Sequence, residues 1–338
     1  MTEAKNHTKP HEIKNQTKSH QIFYYDKRID VGINYFTVTK DKTFLVWAHH
    51  TSSGSELYYT ELINLRRGRD VLFARVDGSI LGIAVDWFLH HVYVSVDVGQ
   101  NVYTIQVFDI VTGAHVVILR EETTSFYTHY PGENLDSLVV DPRYGVMFWP
   151  VSKYDRSSYT KIFEIHRASM SGKNRTVVRR NEVSFSKKTK KNSTQTPSPF
   201  EGLAIDYDDL RIYWHDYSLN IFSTDYEGED FRQIFKAETI LSMVNFKNAR
   251  LSEIAIFGPD LYVSVVSELA DTASILRLSK YNRTSASADQ YKQEHERDVF
   301  RITVNIVHPS LQPLDSPFQS YLNFENFYNI ASPSKVRF

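Results

Sequence analysis

Short apolar runs separated by polar turns recur along the whole chain, and three of the runs end in Asp. They are Leu81 to Asp86, Leu138 to Asp141 and Gly202 to Asp206. Each leads through a polar turn into a second apolar run, with an aromatic seven positions beyond the Asp: Tyr93, Phe148 and Tyr213. Apolar runs of this length, rich in β-branched and aromatic residues and bounded by turn formers, predict strands rather than helices. Self-similarity over tens of residues predicts a repeat architecture in which each repeat is one supersecondary unit.

The pattern divides into units of four short strands. The first unit carries runs at 35–39, 43–47, 56–62 and 70–73, and the second extends from Ile80 to Leu119 with a Thr112-Gly113 turn. The third runs from Leu135 to Val178 with a Ser171-Gly172 turn, and the fourth from Phe200 to Phe235 with a Glu227-Gly228 turn. A fifth begins at Ser252 and continues through runs at 261–265 and 274–278. Four short antiparallel strands per unit are the content of a propeller blade. A last run, Phe300 to Ile306, has no downstream partners and is expected to complete a sixth blade with Ile22 to Tyr25. The expected fold is therefore an all-β, six-bladed β-propeller over residues 21–313, its ring closed by N- and C-terminal strands that share the last blade. Closure of this kind removes sheet edges that would otherwise recruit other chains.

The remaining segments are polar. Residues 1–20 hold only one large aliphatic, Ile13, and predict a disordered tail. Residues 179–199, with Lys187, Lys188, Lys190 and Lys191 before a Ser/Thr/Pro run, read as a basic loop insertion between the third and fourth units. Residues 283–298 read as a second polar loop. The tail 314–338 keeps Phe318, Tyr321, Phe324, Phe327 and Tyr328, and is expected to pack on the side of the ring.

The fourth unit carries a recognisable signature. Leu203-Ala204-Ile205-Asp206-Tyr207, then Arg211-Ile212-Tyr213-Trp214-His215-Asp216, then Ile221 to Phe235, resembles the low-density-lipoprotein-receptor class B repeat, the YWTD β-propeller family. Ile83 to Trp87, Val139 to Pro142 and Ile254 to Phe257 are similar to the openings of other repeats of that family, and Ile306 to Pro313 to its closing segment. The likeness covers roughly residues 22–313. Only the fourth unit keeps Tyr, Trp and Asp together, and no Cys-rich epidermal-growth-factor-like module follows. The resemblance implies a six-bladed, non-catalytic ring that binds a protein or peptide outside the cell or in the secretory pathway. It also implies a signal segment beyond the present amino terminus, since Met1 to Gln21 has no apolar core.

Composition narrows the function classes. Lys plus Arg number 39 against 40 Asp plus Glu, a net charge of −1, so the basic footprint of a nucleic-acid binder is missing. No apolar run is long enough to cross a bilayer as a helix. Cys is absent, which suits a reducing compartment or a fold too large to need staples. Against this stand N-x-Ser/Thr sequons at Asn6, Asn15, Asn174, Asn192 and Asn282. Those at Asn174, Asn192 and Asn282 fall in or beside the propeller and are the glycosylation candidates.

Blades alternate strand direction, so the loops entering first strands and leaving second strands share one end of the ring. Those loops supply Asp77, Ser79, Glu133, Asp136 and Glu201 on one side and Lys153, Tyr154, Asp155 and Tyr217 on the other. An acidic face with aromatics suits a peptide or protein bearing Lys or Arg. The candidate ligand-binding residues are therefore Asp77, Glu133, Asp136, Lys153, Tyr154, Glu201 and Tyr217, on a chain expected to be monomeric. Asp86, Asp141 and Asp206 read as turn formers, because each occupies the same place in a different blade. Tyr93, Phe148, Tyr213 and Tyr262 read as core. Among the 13 His, His308 in the closing segment is the candidate pH sensor. No cofactor and no metal is expected: the sequence has no Gly-x-Ser-x-Gly elbow, phosphate loop or HExxH. The alternatives are a metal-dependent lactonase or hydrolase-like propeller, and a secreted propeller of the yellow or royal-jelly type.

Overall fold

The computed structural model describes residues 31–39, 42–63, 66–100, 102–122, 137–155, 157–158, 160–184, 199–244, 248–267, 272–281 and 286–292. These form five four-stranded antiparallel sheets in chain order. The first holds β1 (Val31–Thr39), β2 (Lys42–Thr51), β3 (Gly54–Ile63) and β4 (Arg66–Val76). The second holds β5 (Ser79–Asp86), β6 (His91–Gly99), β7 (Val102–Asp109) and β8 (His115–Glu122). The third holds β9 (Val139–Asp141), β10 (Val146–Asp155), β11 (Thr160–Ser169) and β12 (Thr176–Ser184). The fourth holds β13 (Glu201–Asp206), β14 (Arg211–His215), β15 (Ile221–Asp225) and β16 (Arg232–Phe235). Helix α1 (Ala237–Met243) leads to the fifth, with β17 (Ala249–Phe257), β18 (Asp260–Ser267), β19 (Thr272–Ser279) and β20 (Ala286–Lys292). The first strands stand side by side in the order β1, β5, β9, β13, β17, so each sheet is a blade with its first strand nearest the axis. The fold is an all-β propeller.

No blade encloses a core of its own. Strand residues alternate between two faces, and here each face meets a different neighbour. Val46, Ala48 and Leu57 of the first blade pack with Ile83, Val92 and Val94 of the second. Tyr93 and Ile105, on the second blade's other face, pack with Val140, Met147 and Trp149 of the third. Phe148, Phe163 and Ile165 then meet Ile205, Ile212 and Trp214. Tyr213 and Ile221 meet Leu251, Leu261 and Val263, where Ile240 of α1 also packs. Two covered faces explain why β6 and β7 are buried almost throughout, with even Ser95, Thr104 and Gln106 enclosed.

Two polar devices repeat at the seams. The strand-ending aspartates cap their own turns: Asp86 Oδ1 accepts the amides of Phe88 and Leu89, and Asp206 Oδ1 those of Asp208 and Asp209. Asp141 Oδ1 accepts the amide of Arg143 at 3.0 Å. This is the turn role expected of them. The fourth strands β4, β8, β12 and β16 each carry a bulge, which leaves Phe73, Ile118, Val178 and Ile234 without a cross-strand partner. The freed carbonyls of Phe73, Ile118 and Val178 point at Gly113, Gly172 and Gly228, the turn glycines of the following blade. Those glycines have φ of +68°, +81° and +87°, and a β-carbon on any of them would overlap the facing carbonyl oxygen.

Several expectations need correction. Residues 179–184 are the last six of the nine residues of β12, paired with β11 as far as Ser184, so the expected insertion begins later than residue 179. Residues 286–292 form β20, paired along β19, and not a loop. Both strands are the outermost of their blades, where one edge has no paired strand among the described residues and polar residues cost little. Tyr262 is half-buried while Leu261 beside it takes the core position. The tails 1–20 and 314–338, and the expected strands at 22–25 and 300–306, lie outside the described residues.

Candidate functional site

The two ends of the axis differ. At the end where first strands finish, Trp87 of the second blade meets Tyr207 of the fourth edge-to-face, with ring centroids 5.2 Å apart. Arg143 of the third blade lies 5.2 Å over the Tyr207 ring and donates to the Tyr207 carbonyl at 2.6 Å. The residues that follow the turn aspartates thus plug this end.

The opposite end, where first strands begin and second strands finish, is polar. Glu201 opens β13 and is 3% exposed. Its carboxylate lies 3.9 Å from Nδ1 of His215, the last residue of β14, and 3.8 Å from the Arg250 guanidinium on β17. Both separations exceed hydrogen-bond length, so the Arg250 guanidinium attracts the carboxylate across a poorly solvated space. The His215 ring lies over Gly202: a β-carbon there would stand 2.5 Å from its Cδ2, and Gly202 has φ of +59°. Arg250 lies 5.7 Å from the centroid of the Tyr217 ring, a favourable cation–π distance. Tyr217 is 39% exposed, so it offers solvent an aromatic surface backed by a guanidinium.

Around this centre, second strands carry acids at or near their ends that cap the loops there. Asp97 Oδ1 accepts the Gly99 amide at 2.8 Å. Asp155 Oδ1 accepts from the Ser157 amide and hydroxyl at 2.9 and 2.7 Å, and its Oδ2 from the Ser158 hydroxyl at 2.6 Å. Those bonds favour the ionised form and hold the Asp155 carboxyl down at about 2. Asp216 accepts from the Asn220 amide at 2.8 Å, yet its burial pushes its own carboxyl above the ordinary value. Asp77 is exposed in the turn before β5. Among the described residues, Asp77, Asp97 and Asp155 form no ion pair.

The residues expected at this face divide. Asp77, Asp155 and Tyr217 stand on it. Glu201 does not present its charge to solvent: it begins the innermost strand and is enclosed by His215 and Arg250. Lys153 is also committed, its ammonium 2.9 Å from Glu164. Burial raises the Glu164 carboxyl, but bonds from Lys153 and from His166 at 2.7 Å outweigh this and hold it below its ordinary value. Tyr154 lies on β10, but its side chain is outside the described set, as are Glu133, Asp136, Asn192, Asn282 and His308. Asn174 is exposed, with φ of +56°, in the turn between β11 and β12, at the other end of the blade. Asp97 escaped the sequence reading, although the Asp-x-Gly pattern of residues 97–99 is a loop-capping signal. His215 and Arg250 escaped it as axial neighbours of Glu201 because they come from different strands with no periodic link.

Among the described residues, no group of three or more His, Asp or Glu side chains is arranged to hold a metal ion, and no helix is long and apolar enough to cross a membrane. No family model and no curated protein matches the chain. Solved structures are similar to parts of the chain. It is similar to TolB from Acinetobacter baumannii at 9% identity and a TM-score of 0.47, over 72% of this chain and 52% of that one. It therefore spans about half the length of that TolB chain. It is also similar to an oligogalacturonate lyase in complex with manganese, at 9% identity and a TM-score of 0.44, over 78% of this chain and 73% of that one. A prolyl endopeptidase structure aligns at 14% identity and a TM-score of 0.44, over 79% of this chain and 38% of that one.

Proposed function

We propose that the chain is a non-catalytic binding propeller that holds a protein or peptide segment bearing Lys or Arg against the axial end formed by Asp77, Asp97, Asp155 and Tyr217. One observation carries this reading. Asp97 and Asp155 are fixed by their own loops, and among the described residues Asp77, Asp97 and Asp155 form no ion pair. Preordered carboxylates lose little freedom on meeting a partner, and the neighbouring Tyr217 supplies a rigid aromatic contact of the kind enriched at binding hot spots. The YWTD-type resemblance and an extracellular or secretory setting are part of the same proposal.

The ring in this proposal has six blades. The first blade turns Val46 and Ala48 toward the second, while Leu45, Trp47 and Thr60 on its far face are also buried. The fifth turns Val263 and Val265 toward the fourth, while Ser264 and Val266 on its far face are buried as well. Covered far faces on both flanks fit a further sheet between them.

Binding of a fluorescent Lys- and Arg-rich peptide to the full chain, compared with a Glu-rich peptide of equal length, tests the function. Saturable binding of the basic peptide that weakens in Asp77→Asn/Asp155→Asn and in Tyr217→Ala supports it. Equal affinity for both peptides, or no effect of those substitutions, overturns it.

A further inference from the structure

Two seams of the ring are tied by the same pair of positions, and the equivalent pair at a third seam has no polar partner. Between the third and fourth blades, Asp141 Oδ2 accepts from the Tyr226 hydroxyl at 2.8 Å. Between the fourth and fifth, Asp206 Oδ2 accepts from the Lys280 ammonium. Tyr226 and Lys280 occupy one position in the repeat, the first residue after the third strand of the following blade. In the third blade that position is Met170, the first residue after β11. Met170 is buried in the apolar cluster that joins the second and third blades, and its thioether has no proton to give. Asp86, 3% exposed, is left with the two amides of its own turn, at 2.9 and 3.2 Å and both on Oδ1.

Among the described residues, the surroundings supply no compensating charge. From β6, the buried Tyr93 phenol faces Asp86 and is itself pushed up, by burial first and then by the Asp86 charge. His90 and His91, on the same turn, are held below their ordinary value by burial, and the charge that acts on both is Asp109. Across the seam the repeat-equivalent position is Met170, and Trp87 next in sequence is an apolar plug residue. Among the described residues, no Lys or Arg acts on the Asp86 carboxyl.

We propose that the joint between the second and third blades is the ring's proton-binding seam, where Asp86 takes up a proton in mildly acidic conditions and the two blades close more tightly. The other two seams have a fixed hydroxyl or ammonium in that place; at Asp206 burial still raises the carboxyl, opposed by the Lys280 ammonium that Asp86 lacks. Burial, opposed only by the two amides, pushes the Asp86 carboxyl up to about 6. In the unfolded chain it titrates near 3.8, so between these values the native state binds more protons than the unfolded one. By linkage, this group's contribution to stability is highest below about pH 4, falls as pH rises toward 6, and stays low above that. Its full swing corresponds to roughly a hundredfold change in the folding equilibrium constant.

The test is denaturant unfolding of the full chain from pH 4.5 to 7.5 for the native sequence, Asp86→Asn and Met170→Lys. Asn keeps a turn-capping oxygen but cannot ionise, and Lys installs the tie seen at Asp206. The native chain should lose at least about tenfold more of its folding equilibrium constant across this range than Asp86→Asn does, and Met170→Lys should be more stable than the native chain at pH 7.5. Parallel pH profiles for the native chain and Asp86→Asn overturn the proposal. Should the variants not fold, carboxyl-carbon NMR of the native chain decides: a midpoint for Asp86 between 5 and 7 supports the seam, and one at or below 4.5 overturns it. Neither readout involves the peptide ligand.

Discussion

Gly172 is seated beneath the carbonyl oxygen of Ile118, a residue of the preceding blade, with no room between them for a β-carbon. The same relation joins Gly113 to Phe73 and Gly228 to Val178. A bulge in one blade's outer strand thus frees a carbonyl, and a left-handed glycine turn in the next blade comes up against it.

Replacing Gly172 or Gly228 by Ala should therefore destabilise the ring through both backbone strain and steric overlap. The left-handed conformation alone costs an Ala about 1–2 kcal/mol, and overpacking adds about 1–3 kcal/mol. Gly145 is the control: its φ is +63°, but nothing lies within 4 Å of an added β-carbon. Gly145→Ala should cost only the conformational part. Chemical denaturation of the three variants measures the difference, and equal losses would mean that the facing carbonyls are not in contact.

Lys280 is 2% exposed beside the equally buried Asp206, with Asp209 at 3.3 Å. Burial alone would lower the Lys280 ammonium, but Asp206 and Asp209 more than offset it and keep the group charged. Lys280→Met should cost about 3–5 kcal/mol, because it strands a buried carboxylate. The double variant Lys280→Met/Asp206→Asn should recover much of that loss in the same denaturation assay.

Tyr226 and Asp141 make the equivalent tie with a neutral donor. The Arg143 guanidinium also holds Asp141, at 2.9 Å, so Tyr226→Phe leaves that carboxylate partly satisfied. The expected loss is about 1–2 kcal/mol, smaller than for Lys280→Met. A larger loss would show that the hydroxyl matters more to the seam than the guanidinium.

Asp155 stays ionised through any physiological range, since its hydroxyl and amide donors hold it at about 2. Its part in peptide binding should therefore be independent of pH between 5 and 8. Ser157→Ala/Ser158→Ala should weaken binding at constant pH by loosening the carboxylate. Titration of the basic peptide at several pH values checks both, and a contribution from Asp155 that vanishes by pH 5 would contradict the bonding described here.

Much of the architecture is written in the aliphatic runs and their terminal aspartates, because inner strands must be apolar on both faces and each needs the same turn. Outer strands are harder to read. β12, with Arg179, Arg180, Asn181 and Glu182, and β20, with Ser287, Asp289 and Gln290, resemble loops because only one flank of each meets another strand. The axial centre is least legible of all. Glu201 looks like a solvated loop acid until the fold brings His215 and Arg250 beside it from two other strands, and no spacing in one dimension encodes that meeting. Met170 poses the same problem, since its significance appears only once it is aligned with Tyr226 and Lys280.

Because every apolar layer is shared between adjacent sheets, removing one sheet would leave two raw oily flanks, one on each former neighbour. Such a ring tolerates longer connecting turns far more readily than excision or shuffling of a single unit. An isolated sheet from this chain should collapse or clump rather than stand alone, since each of its faces is covered only by a neighbour.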